Sequence, residues 1–129
     1  MCTIKGMLGP TGGNYSSAVS VEKAKRTIYV SGKLPIDANG NIVPGGIEEQ
    51  TTQVIENIKS QLEKDHLSLK NVVKTTCFLN DKNDFPGFDK AYGKCFKTSD
   101  DVILPARSTV QAGIPKQGIL IEIECVAVE

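Results

Sequence analysis

The chain has 129 residues, 40% hydrophobic and 23% charged, enough for one domain with a buried core. Lys+Arg and Asp+Glu number 15 each, so the net charge is zero. The densest basic cluster is only Lys23, Lys25 and Arg26, which argues against an extended nucleic-acid footprint.

Thr3 to Lys5 has the composition of a short edge strand, and the glycine-rich "GPTGGN" after it (9–14) reads as an entry loop leading to Tyr15. That loop lacks the lysine and the spacing of a phosphate cradle. Val19–Val21 and "TIYVSG" (27–32) are strand-like, and the polar "EKAKR" between them predicts a hairpin turn. Asn39-Gly40 signals a tight turn. Residues 47–64 form the clearest helix: Ile47, Val54, Ile55, Ile58 and Leu62 fall on one stripe, and Glu48 and Glu49 sit in the first turn, where the helix dipole favours them. "NVVKTTCFLN" (71–80) is a strand by its β-branched content. Residues 84–96 form a second helix with a stripe of Phe85, Phe88, Tyr92 and Phe96, Pro86 being tolerable near its start. Residues 106–112 and 118–128 are the last two strands, with "GIPKQG" as the turn between them.

The order β-β-β-α-β-α-β-β predicts an α+β domain over residues 1–129, two helices lying on one face of a mostly antiparallel sheet. The strands are apolar on both sides. Ile119, Ile121, Ile123, Cys125 and Ala127 oppose Leu120, Glu122, Glu124, Val126 and Val128; in the fourth strand Val73, Thr75, Cys77 and Leu79 oppose Val72, Thr76 and Phe78. No helix remains for the second face, so a second copy of the chain is the simplest cover, and a homo-oligomer is expected.

The cysteines at 2, 77, 95 and 125 have no C-x-x-C spacing and read as small hydrophobes in a reducing compartment. The single histidine, His66, falls just past the first helix at an exposed position, so no metal site is expected. Nothing resembles a signal peptide or a membrane span, which implies a cytoplasmic protein without a membrane partner.

The charges that stand out are Arg107, within "PARSTVQAG" (105–113), and Glu122 and Glu124, within "ILIEIECVAV" (119–128). Burying any of them requires a partner. If the last two strands form a hairpin centred near Pro115 and Lys116, Arg107 lies opposite Glu124 or Cys125, and Arg107–Glu124 is a structural cross-strand pair. Alternatively, Arg107 holds a ligand carboxylate in a bidentate fork and Glu122 orients or deprotonates water.

"PARSTVQAGIPKQGILIEIECVAV" closely resembles the C-terminal signature of the RidA/YjgF (L-PSP) family of enamine/imine deaminases, and "YVSGKLPID", "VVKTTCFLNDKNDF" and "AYGKCF" are similar to their counterparts there. The resemblance covers nearly the whole chain. It implies a chorismate-mutase-like α+β fold, a homotrimer whose sheets surround a central barrel, and active sites in clefts between subunits. The implied reaction is hydrolysis of 2-enamino or 2-imino acids, such as 2-aminoacrylate and 2-iminobutanoate, to 2-keto acids and ammonia, without metal or cofactor. By position, Arg107 matches the arginine that grips the substrate carboxylate and Glu122 the glutamate that positions water. Tyr15 resembles a pocket-closing tyrosine, and Ser31 and Gly32 match a Ser-Gly pair that lines the site. Thr109 stands where many members have cysteine, and Asp89 where many have asparagine, an added charge that bears on substrate preference. Two other readings compete: an endoribonuclease, disfavoured by one peripheral histidine and zero net charge, and a non-catalytic ligand-binding trimer, against which the retention of both Arg107 and Glu122 counts.

Overall fold

The computed structural model describes residues 1–8 and 12–129. The first half of the glycine-rich loop, residues 9–11, lies outside the described residues, so the reading of that loop is followed only from residue 12. Six strands, β1 (Thr3–Leu8), β2 (Ser16–Glu22), β3 (Thr27–Lys33), β4 (Val72–Leu79), β5 (Ala106–Gln111) and β6 (Ile121–Val128), form one sheet in the order β1-β2-β5-β4-β6-β3. The helices are α1 (Ile47–Glu63) and α2 (Phe85–Phe96). This is the expected α+β architecture, with β1–β2, β4–β6 and β3–β6 antiparallel and β4–β5 and β2–β5 parallel.

α1 starts where the Glu49 carboxylate accepts the Gly46 N–H at 2.8 Å, a contact that satisfies one of the amides left over at a helix start. It buries Val54, Ile55, Ile58 and Leu62, and α2 buries Phe88, Tyr92 and Phe96, against Val72, Cys77 and Leu79 of β4 and Ile121, Ile123, Cys125 and Ala127 of β6. Each large apolar side chain so buried contributes about 1.5–3 kcal/mol before chain entropy is counted. His66 is exposed, as expected, and holds the left-handed turn (φ 62°) that ends the helix.

Two turns differ from the expectations. β2 and β3 do not form a hairpin: β2 pairs with β1 and touches β5 at Ser16–Ala106, whereas β3 is a sheet edge beside β6. The connecting residues are drawn to the end of the chain instead. Lys25 and Arg26 donate backbone N–H groups to the Glu129 carbonyl, and the Arg26 guanidinium pairs with both Asp65 and the Glu129 carboxylate. Nor do β5 and β6 form a hairpin, because β4 lies between them, parallel to β5 and antiparallel to β6. β4 is the strand whose Thr75, Cys77 and Leu79 are all fully or nearly fully buried under α2, and the central position gives it ladder partners on both sides. The faces of β4 also shift: an irregularity between Val72 and Lys74 brings Val72 into the core beside Thr75, Cys77 and Leu79.

Among the described residues, no helix lies on the other face of the sheet. Register places Lys74, Thr76 and Phe78 of β4 there with Val110 of β5 and Glu122, Glu124 and Val126 of β6. Tyr29, opposite Val126, is 79% exposed.

Two side chains fix the loops that carry the site. Gln50, itself buried, donates to the Gly118 carbonyl at 2.9 Å and accepts the Leu120 N–H at 2.8 Å, tying the start of β6 to α1. Asn57 donates to the Leu34 and Ile36 carbonyls, both at 2.9 Å, holding the chain that leaves β3.

Candidate active site

Arg107 shares its face of the sheet with its β4 partner, the fully buried Thr75, so it points toward the helices. Its side chain is 5% exposed. The guanidinium carbon lies 4.7 Å from the ring centre of Tyr92, 5.2 Å from Phe88, 5.3 Å from Tyr15 and 5.8 Å from Phe85. Such a box offsets part of the cost of removing the cation from water, each ring contributing up to about 2 kcal/mol when desolvated. Arg107 Nη1 donates to Asp89 Oδ1 at 2.8 Å. The Arg107–Glu124 pair does not form, since Glu124 lies two strands away on the opposite face.

The groups around Arg107 are held in turn. The Tyr92 hydroxyl and Thr75 Oγ1 are 2.8 Å apart, and burial pushes the Tyr92 phenol up from its ordinary range, so it is a neutral wall. Tyr15 is pinned from both sides: Asn14 Nδ2 donates to the Asp89 carbonyl at 3.0 Å, and the Ser16 N–H donates to the Pro105 carbonyl at 3.0 Å. α2 has a glycine where Asn14 rests, and a Cβ at Gly93 would come within 2.6 Å of Asn14 Nδ2. Thr109, two residues along the same face of β5, has a buried Oγ1 without a hydrogen-bond partner among the described residues. An orphaned hydroxyl costs about 1–3 kcal/mol, which a ligand able to pair with it would recover.

The remaining site residues lie elsewhere. Between Val30 and Lys33 the β3–β6 register shifts, and Ser31 and Gly32 form the bulge. A Cβ at Gly32 would stand 2.2 Å from Glu122 Oε2, so only glycine lets that carboxylate lie directly on the bulged backbone. Glu122 is opposite Phe78 on the helix-free face. Among the described residues its carboxylate forms no ion pair.

The seven predicted residues therefore form two groups. Tyr15, Asp89, Arg107 and Thr109 come together on the helix side, while Ser31, Gly32 and Glu122 come together on the open side. Arg107 and Glu122 are separated by two strand spacings, roughly 10 Å, as well as by the sheet itself. One chain does not bring them into a single cleft. Sequence reading placed Phe85, Phe88 and Tyr92 in the core but missed their role around Arg107, and it missed Asn14 and Thr75 as supports. The usable signal was an aromatic stripe on the same helix as Asp89.

The family model described as Endoribonuclease L-PSP matches residues 9–129. The 2-iminobutanoate/2-iminopropanoate deaminase of Mus musculus is 40% identical over 118 residues, covering 91% of this chain and 82% of its own length. The chain belongs to the RidA/YjgF family. A RutC family protein of Pyrococcus horikoshii is 41% identical, covering 89% of this chain and 86% of its own. The crystal structure of RidA from an Antarctic Psychrobacter superposes with a TM-score of 0.71 at 34% identity, covering 91% of this chain and 89% of that one. All seven candidate residues of this RidA/YjgF chain lie inside the matched span, so both groups belong to the shared family region. Among the described residues, no helix is long and apolar enough to cross a membrane.

Proposed function

We propose that the protein is an imine deaminase that hydrolyses 2-imino acids, and the 2-enamino acids that tautomerise to them, to 2-keto acids and ammonia. The observation that carries this reading is the division of the site into complementary halves: a ring-walled arginine on one face and an unpaired carboxylate on the uncovered face. In a homotrimer whose open faces surround a central barrel, clefts between neighbouring subunits would bring the Arg107 group of one copy to the Glu122 group of the next. Relatives that carry the deaminase name at about 40% identity support the same chemistry.

Arg107 fixes the substrate carboxylate, with Thr109 beside it and the Tyr15 ring closing the pocket. This orients the imine carbon for attack. Glu122, against the Ser31–Gly32 bulge, takes a proton from water as its oxygen adds to that carbon, giving a carbinolamine. The same carboxyl returns the proton to nitrogen; the C–N bond then breaks as the carboxylate takes the hydroxyl proton, so the carbonyl forms, and that proton leaves with ammonia as ammonium. A protonated imine is already electrophilic, so the step calls for positioning and one base.

The test generates 2-aminoacrylate with a serine dehydratase in the presence of semicarbazide, which captures the imine before it hydrolyses. Adding the protein should divert the imine to pyruvate and lower semicarbazone formation. Arg107→Ala should lose about 100-fold of that activity. No acceleration with any 2-imino acid refutes the proposal. Parallel incubation with single-stranded RNA tests the activity named in the family description.

A further inference from the structure

We infer that Asp89 is a specificity-determining residue: together with Arg107 it makes the pocket select zwitterionic ligands, a carboxylate beside a protonated nitrogen, over singly charged carboxylates such as the keto-acid product. The inference rests on the reading of Arg107 as the anchor for a ligand carboxylate.

A guanidinium presents five N–H donors in a rigid fork. Asp89 Oδ1 occupies Nη1 at 2.8 Å, leaving the other edge for a ligand. A ligand carboxylate on that edge lies within a few ångströms of the Asp89 carboxylate, in a space walled by Tyr15, Phe85, Phe88 and Tyr92, where screening is weak. Asp89 is a poor candidate for swinging clear. Its backbone sits within α2, its carbonyl is held by Asn14, and its side chain is only 28% exposed. Two carboxylates on one guanidinium leave an excess negative charge, unless the ligand brings a second positive charge.

A protonated 2-imino acid brings that charge next to its own carboxylate, and its N–H can donate to the oxygens of Asp89. Hydrolysis replaces this group by a carbonyl, which has no positive charge and no proton to donate. The same aspartate that favours the electrophilic, protonated substrate thus disfavours the product. An asparagine at position 89 would remove the charge and offer an amide donor to the ligand carboxylate, so the guanidinium would then favour the singly charged anion over the zwitterion.

The test measures binding calorimetrically for two compounds with one carbon skeleton, the zwitterion 2-aminobutanoate and the anion 2-oxobutanoate. The unaltered protein should bind the zwitterion about tenfold more tightly, and Asp89→Asn should reverse the order. Asp89→Ala should shift the ratio in the same direction, which excludes an effect of the asparagine amide alone. Arg107→Ala should abolish binding of both. An unchanged ratio in the Asp89 variants, or no saturable binding of either compound to the unaltered protein or to Asp89→Asn, overturns the inference. Imine turnover is measured on the same preparations. Turnover with an unchanged ratio refutes the role of Asp89 and leaves the deaminase reading intact; a shifted ratio without turnover does the opposite.

Discussion

Arg107 and Glu122 are both charged groups on one sheet, yet their surroundings have little in common. Arg107 is 5% exposed, paired with Asp89 and enclosed by rings from α2 and the loop before β2. Glu122 rests on a glycine bulge on the face that no helix covers. A cation in a low-dielectric pocket has to be compensated by the fold itself, so its neighbours are also core residues. A carboxylate at the surface can be left uncompensated, because water solvates it. The arginine half should therefore couple function to stability, and the glutamate half should not.

The strongest way to break this comparison is a pair of substitutions. Phe88 is fully buried and touches both the core and the guanidinium. Phe88→Ala should cost about 3–5 kcal/mol by urea denaturation. Glu122→Gln should change stability by less than about 0.5 kcal/mol while lowering imine hydrolysis by about 10²–10⁴-fold. Comparable destabilisation by the two variants would show that the halves are not built differently.

Gly32→Ala sharpens the glutamate side. The added methyl would stand 2.2 Å from Glu122 Oε2, the far end of a flexible side chain, so the carboxylate must move while the backbone stays in place. The expected result is about a tenfold loss in kcat/KM, roughly 1.4 kcal/mol in the transition state, with an unchanged melting temperature. A large fall in melting temperature would instead mark the bulge as a structural element.

What could be read from the sequence follows the same division. The stripes of α1 and α2 and the alternation of Ile121, Ile123, Cys125 and Ala127 are local periodicities, and the structure buries those residues except Ile47, which is partly buried, and Phe85, which is 39% exposed. Strand pairing is not local. The separation of β5 from β6 by β4 depends on which strand gains most from a central place under α2, and a short turn-like connection such as "GIPKQG" carries no information about that. The Arg107–Glu124 pairing failed with the hairpin it assumed. The true partner, Asp89, lies 18 positions away on α2 and could be found only once α2 was placed over β5. Glu122 and Glu124 share a face in sequence and in structure, but only Glu122 meets the β3 bulge, whose position depends on the β3–β6 register.

Beneath both halves runs one shared layer, the helix-facing side of the sheet, and two thiols report on it. Cys77 lies beside Thr109 in the ladder on the arginine side, and Cys125 beside Val30 toward the glutamate side. Burial pushes both thiols up to about 12, although Thr75 and Arg107 at Cys77, and Lys33 at Cys125, act in the opposite direction. In the unfolded chain each ionises near about 8.5. Each therefore contributes stability that is fully present below that pH and is lost as pH rises toward the folded value, because only the unfolded chain releases the proton in between. By pH 9 the loss should be about 0.8 kcal/mol per thiol. Urea denaturation of Cys77→Ala and Cys125→Ala across pH 7–9.5 measures it: each variant starts less stable than the parent but should decline less steeply with pH, by equal amounts if the layer is uniform. A shallower slope in Cys125→Ala alone would show that the arginine side admits enough solvent, or enough of the Arg107 charge, to let Cys77 ionise in the folded protein.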